Sequence, residues 1–289
     1  MDTDSLSAFV AVAHSKSFSL AAQQLFLTQP AISKRIARLE EQLNHRLFDR
    51  LGRDLHLTDA GRLLLPRAEA ILLELRETER SVKELSGEIV GSLKIATSHH
   101  VGLHHLPPIL RDFSAKHGNV NLQFEFLDSE RAHEKIINGE CEFAIVTLPP
   151  KIAPPLKGIK LWDDPLKVVV GSQHTLADKQ AVELQELSNE AAILPDLSTY
   201  TGRLIKEVFE QRQLDIKINM ATNYLETIKM MVSVGLGWSL LPATMIDEQL
   251  HALELNELTI SRELGLVMHN KRSLSNAGRA FYETVLRLQ

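Results

Sequence analysis

Apolar positions in the first sixty residues recur at three- and four-residue spacing, in three short runs. Leu6, Phe9, Val10 and Ala13 make one stripe, which His14-Ser15-Lys16-Ser17 interrupts, so a first helix is expected to end there. Phe18 to Leu25 makes a second, with Ser17 or Ser19 as its cap and Ala21-Ala22 small enough for another helix to approach closely. Thr28 is placed to cap a third. Pro30 falls in its first turn, where a missing N–H costs nothing, and Ile32, Ile36, Leu39 and Leu43 share one side. Leu55 and Leu57 then alternate with polar neighbours, as in a short strand, with Gly52 at the turn.

From Asp59 to about Glu88 one long helix is predicted. Leu64, Ala68, Ile71, Leu75, Thr78, Val82 and Leu85 alternate four- and three-residue steps, a heptad seam of about three repeats. Pro66 predicts a kink near its start, and packing on its own chain stays open as the other use of this face.

Gly87 to Gly91 marks a change of pattern. Strand-like and helical runs now alternate, which argues for an α/β domain with a largely parallel sheet. Strands are expected at Leu93–Thr97, Val120–Phe126, Phe143–Thr147, Leu166–Val170, Trp238–Leu241 and Leu264–Met268. Helices are expected over a segment holding His104 to Phe113, from Asp128-Ser129 to Ile137, over Thr201–Gln211 and over Asn276–Leu288.

The 289 residues are 44% hydrophobic and 24% charged, enough for two or three globular units. Cys141 is the one cysteine, which excludes a disulfide framework and fits a reducing cytosol. Met1-Asp2-Thr3-Asp4 lacks the basic flank of a secretory leader, and no apolar run approaches the ~18–20 residues of a membrane span. A soluble cytoplasmic protein with no membrane partner is the expectation.

The net charge of −5 hides an asymmetry. Residues 1–67 hold nine Lys/Arg against seven acids, and the remainder holds 23 against 30. A locally cationic segment can bind phosphate because screening confines the interaction to about 8–10 Å. Short helix, brief turn and a second helix with a polar, cationic face is the architecture of a helix-turn-helix. Gln29 and Ser33 suit base edges; Lys34, Arg35 and Arg38 suit phosphate or guanine; Arg50 and Arg53 lie on a hairpin wing that could reach a neighbouring phosphate.

The run SFSLAAQQLFLTQPAISKRIARLEEQLNHRLFDR…LTDAG closely resembles the N-terminal signature of LysR-type transcriptional regulators, through Ser17-Phe18, Ala21-Ala22, Leu25, Gln29-Pro30, Ser33, Ile36, Leu39-Glu40, Leu43, Leu47-Phe48, Arg50, Leu57-Thr58 and Ala60-Gly61. Asn44-His45 departs from it where the family usually has a glycine; Asn tolerates a left-handed cap, so helix termination survives. The resemblance implies an N-terminal all-α winged helix-turn-helix (1–58) and a linker or dimerisation helix (59–88). It also implies a C-terminal α/β, two-lobed, periplasmic-binding-protein-like effector domain (91–289). Lobe I is expected at about 91–160 and 265–289, lobe II at about 161–264, with crossovers near Lys160–Leu166 and Thr259–Leu264. It implies a dimer, or a homotetramer, reading an interrupted inverted repeat in double-stranded promoter DNA through Thr28, Gln29, Pro30, Ser33, Lys34, Arg35, Arg38, Arg50 and Arg53. Leu64, Ala68, Ile71, Leu75, Val82 and Leu85 would pair the helices. RNA polymerase is a candidate partner, and no enzymatic activity is implied.

Ligands of open α/β lobes sit beyond the carboxyl ends of strands, against helix N-termini. Ser98, His99, His100, Ser129, Thr147, Ser198, Thr199, Tyr200 and Arg203 occupy such places and favour a small, anionic effector; ordinary capping stays open for Ser98, Ser129 and Thr199. No cofactor and no metal are expected. His100 and His104 share a helix face, but no third ligand is apparent. Glu140 and Glu142 should dull the Cys141 thiol. Gly235-Leu-Gly237-Trp238-Ser239 lacks the closing glycine of a nucleophile elbow and reads as a turn into a strand. The alternative is a small-molecule, zinc or redox sensor whose N-terminal helices mainly dimerise.

Overall fold

The computed structural model describes every residue except Gly52, Arg53, Glu84, Ser86, Glu257 and Leu258, and only the main chain of Arg50, Leu51, Asp54 and Lys83. Its residues fall into two units, 1–86 and 87–289.

In the first unit, Asp2 opens α1 (Thr3–Ser15) by accepting the Ser5 N–H at 2.8 Å. Ser17 caps α2 (Phe18–Gln24) and Thr28 caps α3 (Gln29–Leu43). Asn44 ends α3 in a left-handed conformation, φ 53°, with its N–H on the Glu40 and Glu41 carbonyls, so the departure from glycine leaves the helix stop intact. The wing forms from β1 (Phe48–Leu51) and β2 (Asp54–Leu57), antiparallel, Phe48 opposite Leu57. A 25-residue α4 (Asp59–Lys83) runs on unbroken through Pro66. Leu6, Phe9 and Val12 of α1 meet Ala21, Ala22, Ile32, Ile36, Leu39, Leu47 and Phe48 in one core.

Three signature residues tie the wing to its neighbours. The Glu40 carboxylate accepts the Leu47 N–H at 2.7 Å, the Thr58 hydroxyl donates to the Arg46 carbonyl at 2.6 Å, and the Gly61 N–H donates to the Thr58 hydroxyl at 3.0 Å. A Cβ on Gly61 would lie 2.2 Å from the Leu47 carbonyl oxygen. Only a bare Cα allows α4 this close.

The second unit is built on an eight-stranded sheet in the order β4-β3-β5-β12-β6-β11-β7, with β10 also on β6. Its strands are β3 (Gly91–Thr97), β4 (Val120–Phe126), β5 (Phe143–Thr147), β6 (Leu156–Gly171), β7 (Ala181–Val182), β10 (Ser239–Pro242), β11 (Leu250–Leu255) and β12 (Ile260–His269). A small parallel pair, β8 (Ala191–Leu194) and β9 (Lys217–Ala221), stands beside it. The helices are α5 (His99–His104), α6 (Leu106–Lys116), α7 (Ser129–Ile137), α8 (Leu184–Asn189), α9 (Tyr200–Glu210), α10 (Leu225–Ser233) and α11 (Asn276–Leu288).

Two expectations are corrected. The sheet is mixed: β3 pairs in parallel with β4 and β5, but β5–β12, β12–β6, β6–β11 and β6–β10 are antiparallel. A buried apolar run reports that both faces are covered, not the direction of the neighbour. The helix expected across His104–Phe113 is two, broken at His105, because Pro107 and Pro108 have no N–H to continue the ladder of α5.

β6 and β12 are long because they carry the chain between two cores. Ile159, Leu161 and Trp162 pack with Leu264 and Leu266 in one core, whereas Leu166, Val168 and Val170 pack with Ile260 in the other. The strands stay paired from Leu166–Ile260 to Leu156–His269, with an irregularity at Leu264/Gly265. Val169 turns to the opposite face, against Ile193, Ile228 and Val232 of β8 and α10. Among the described residues no helix is long and apolar enough to cross a membrane.

The Gly61 contact gives a test. Gly61→Ala forces a Cβ into main chain, at a cost of about 1–3 kcal/mol, and should lower the urea midpoint for the N-terminal unit without changing the slope. An unchanged midpoint would show that α4 can move away.

Candidate functional site

Two surfaces gather the candidate residues, one in each unit. On the first, Thr28, Gln29, Pro30, Lys34 and Arg38 are exposed along α3, with Ser33 half-buried. Gln29 Nε2 donates to Ser33 Oγ at 2.9 Å, one turn on, so the two side chains offer a joined polar edge. Arg35 and Arg38 point elsewhere. Arg35 pairs with Asp4 at 2.8 Å and Arg38 approaches Asp2 at 3.8 Å, both at the start of α1. Exposed pairs of this kind are worth ~0.2–1 kcal/mol and yield readily to a phosphate. Arg53 lies outside the described residues, as does the Arg50 side chain. Sequence reasoning missed Phe26, which is 95% exposed in the turn between α2 and α3. Its neighbours Leu25 and Leu27 pack inward, so it reads as core; a left-handed φ of 54° turns it out.

Of the residues expected to pair two copies, Leu64 and Ala68 are taken up by the core of their own unit, Ala68 completely. That withdraws Ala68 from any partner-facing seam, because its face of α4 is spent on the core of its own unit. Ile71, Leu75, Val82 and Leu85 are 43, 41, 63 and 83% exposed.

The second surface is a cleft of about 230 Å³ in the C-terminal unit. Ser98, His99, His100, Ser129, Thr147, Thr199 and Tyr200 all line it, gathered from the ends of β3, β5, α5, α7 and α9. Ser198 and Arg203 do not. The Ser198 hydroxyl and N–H both donate to Asp196 Oδ1, at 2.6 and 2.8 Å, in a tight local turn. Arg203 lies over the Tyr200 ring, donates to the Ser198 carbonyl and pairs with Glu130. The Thr199 hydroxyl caps α9 and donates to the Asp196 carbonyl, so it is spent. Asp128, Asn223 and Tyr224 line it as well, with Asn223 Nδ2 donating to Asp128 Oδ2 at 3.1 Å.

Arg262, which lines the cleft, belongs to an ion pair that only the fold assembles. Arg262 on β12 donates through Nε to Asp164 Oδ2 on β6 at 2.7 Å, and through a terminal nitrogen to Thr201 Oγ1 at 2.7 Å. Both are buried, Asp164 at 1% exposure. Burial works to raise the Asp164 carboxyl, yet His100 and Arg262 beside it hold it below its ordinary value. Burial pushes the neighbouring His100 imidazole down. Cys141 is buried beneath α7 with its thiol pushed up to about 11, chiefly by burial, so it is inert as a nucleophile at neutral pH.

The comparisons follow this division. A model of the LysR substrate binding domain matches residues 86–289, and one of the bacterial regulatory helix-turn-helix protein, lysR family, matches residues 3–62. A probable RuBisCO transcriptional regulator of Synechocystis sp. is 30% identical over 293 residues, covering 98% of this chain and 85% of that protein. The chain belongs to the LysR family. It is a DNA-binding transcriptional regulator with an effector-binding domain. An HTH-type transcriptional regulator from the ibpB-leuC intergenic region of Azotobacter vinelandii is 61% identical over 108 residues, 37% of this chain and 75% of that one. A full-length OxyR variant of Pseudomonas aeruginosa, substituted at one cysteine, shares the fold at a TM-score of 0.71 and 20% identity, covering 100% and 99% of the two chains.

In this LysR regulator, four polar contacts join the elements around the cleft: His104–Glu226 at 3.0 Å, Asp128–Asn223, Glu130–Arg203 at 3.2 Å, and His133 Nδ1 with the Tyr200 hydroxyl at 3.1 Å. His133 is buried, its Nε2 has no partner among the described residues, and burial holds it below the ordinary imidazole value. The folded chain therefore prefers neutral His133, and the unfolded chain takes up the proton first. Its contribution is intact above ~pH 6.5 and is lost as the pH falls below that. Chemical denaturation at pH 7.5 and 5.5 should show a smaller acid loss of stability in His133→Gln than in the wild type. An equal loss in both would remove His133 from the account.

Proposed function

We propose that α3 enters the major groove with Gln29 and Ser33 on base edges and Thr28, Pro30 and Lys34 beside the backbone. Arg35 and Arg38 exchange their carboxylate partners for phosphate, Arg50 and Arg53 add further phosphate contacts, and Phe26 packs against sugar. Two copies joined through Ile71, Leu75, Val82 and Leu85 would set two such helices about one DNA turn apart, on an interrupted inverted repeat. Pairs of dimers would extend this to a tetramer. The observation that carries the DNA reading is the exposed Gln29–Ser33 edge at the start of α3.

The cleft reading is a small anion. The first turns of α7, α9 and α10 supply Ser129, Tyr200, Thr201 and Leu225 to its wall, and each carries the partial positive charge of a helix start. Ser129 and Thr147 are 8 and 6% exposed, and neither hydroxyl is spent on a cap. A volume of 230 Å³ fits a metabolite rather than a large cofactor. Bound across the lobes, the anion would favour one lobe arrangement and so alter how DNA is held.

Both halves are testable. Fluorescence anisotropy on a specific site should show Gln29→Ala or Ser33→Ala losing about 1–3 kcal/mol there and little on random DNA, and Lys34→Ala reducing the salt slope by about one. Equal losses on both sequences would move the reading surface elsewhere. In a thermal-shift panel of small anions, a ligand at a hundred times its Kd adds about 2.7 kcal/mol, or about 5–10 °C for a unit of this size. Ser129→Ala or Thr147→Val should weaken such a ligand about tenfold, the worth of one hydrogen bond to a charged group. A ligand insensitive to both lies outside the cleft.

A further inference from the structure

Behind the cleft wall, three groups converge that the sequence keeps apart. His100 is on α5, His105 follows the last turn of that helix, and Asp164 comes from β6. One ring nitrogen from each histidine and a carboxylate oxygen of Asp164 all lie within 4.8 Å of one another. His100 is 5% exposed, and neither of its ring nitrogens has a hydrogen-bond partner among the described residues; the buried Nε2 of His105 has none either. His100 Nε2 stands 3.6 Å from Asp164 Oδ2, beyond hydrogen-bond reach. Buried imidazole nitrogens that make no hydrogen bond, one of them at ion-pair distance from a buried carboxylate, ask what they are for, since interiors rarely leave such groups unsatisfied.

We propose that His100, His105 and Asp164 bind a divalent transition-metal ion, zinc by preference. Two imidazoles and a carboxylate make a three-ligand set with a fourth position open to water or to an oxygen of a bound anion. Tetrahedral bonds of 2.0–2.1 Å place donor atoms about 3.4 Å apart, close to the 3.6 Å between His100 Nε2 and Asp164 Oδ2. The surroundings are those of a ligand shell. The His105 ring lies 4.7 Å from the Trp162 ring, which holds it in place, and the Arg262 guanidinium fixes the carboxylate through Oδ2. Burial holds both histidines below their ordinary value, hence neutral and ready to ligate. His104 is engaged with Glu226 and stays outside the set. The positive charge of Arg262 against the same carboxylate weakens the ion's hold, which makes the site exchangeable, as a sensor requires, rather than structural.

This inference does not depend on the anion reading, because its probe is the metal alone. Full-length protein stripped with a chelator is titrated with Zn²⁺ by calorimetry and with Co²⁺ by visible absorption. The expected result is one ion per chain, a micromolar or tighter Kd, and the intense visible bands of low-coordinate cobalt. His100→Ala and His105→Ala should each weaken binding tenfold or more, while His251→Ala, at an exposed position on β11, leaves it unchanged. No heat with a weak octahedral cobalt spectrum, binding unchanged in both buried variants, or binding lost with His251→Ala overturns the proposal. Should a buried variant misfold, the wild-type cobalt spectrum decides.

Discussion

The C-terminal unit depends on one cross-strand pair. Asp164 and Arg262 are register partners on β6 and β12, at the level where both strands leave one core for the other. A buried pair of this kind contributes little net stability, but removing one partner strands a charge and costs about 3–5 kcal/mol. Its worth lies in alignment. Held together, the two strands set how one lobe stands against the other, and with that where the cleft opens. Thr201 extends the link to the first turn of α9, so the helix that faces the cleft is tied to the same point. Gly265, beside the irregular register, belongs to this constraint as well, since a Cβ there would lie 2.4 Å from the Ile159 carbonyl oxygen.

Around that pair the cleft is assembled from helix starts rather than from a patch of charge. Asp128 and Glu130 are answered by Asn223 and Arg203, while Ser129 and Thr147 line the cleft beside them. The four contacts that join the elements around the cleft are polar and partly exposed. Each is worth on the order of 1 kcal/mol, so the balance among them is easily shifted.

The N-terminal unit follows the opposite economy. Most of its signature residues serve the scaffold: Ala21, Ala22, Ile36, Leu39 and Phe48 fill the core, and Glu40, Thr58 and Gly61 tie the wing to α3 and α4. Gln29, Pro30 and the half-buried Ser33 present the surface instead. That is why so much of this unit is legible from residue pattern. A three-helix core of this size has few ways to close, and each helix carries its own cap and stripe.

What the sequence determined by itself was therefore local. Ser17 and Thr28 cap the helices they precede, Asn44 ends α3 as its tolerance of left-handed geometry implies, and the bounds of Val120–Phe126 and Asn276–Leu288 are as the pattern reads. These signals act within one turn or one strand, where backbone hydrogen bonding and side-chain period decide. Only tertiary structure decided the direction of strand pairing, the pairing of Asp164 with Arg262 beside the cleft, the diversion of Ser198 to Asp196 and of Arg35 to Asp4, and the outward turn of Phe26. Arg262 and Asp164 are 98 residues apart in the chain. No local propensity distinguishes a charged residue that meets its partner across a sheet from one that faces water, so that information exists only once the strands are laid side by side.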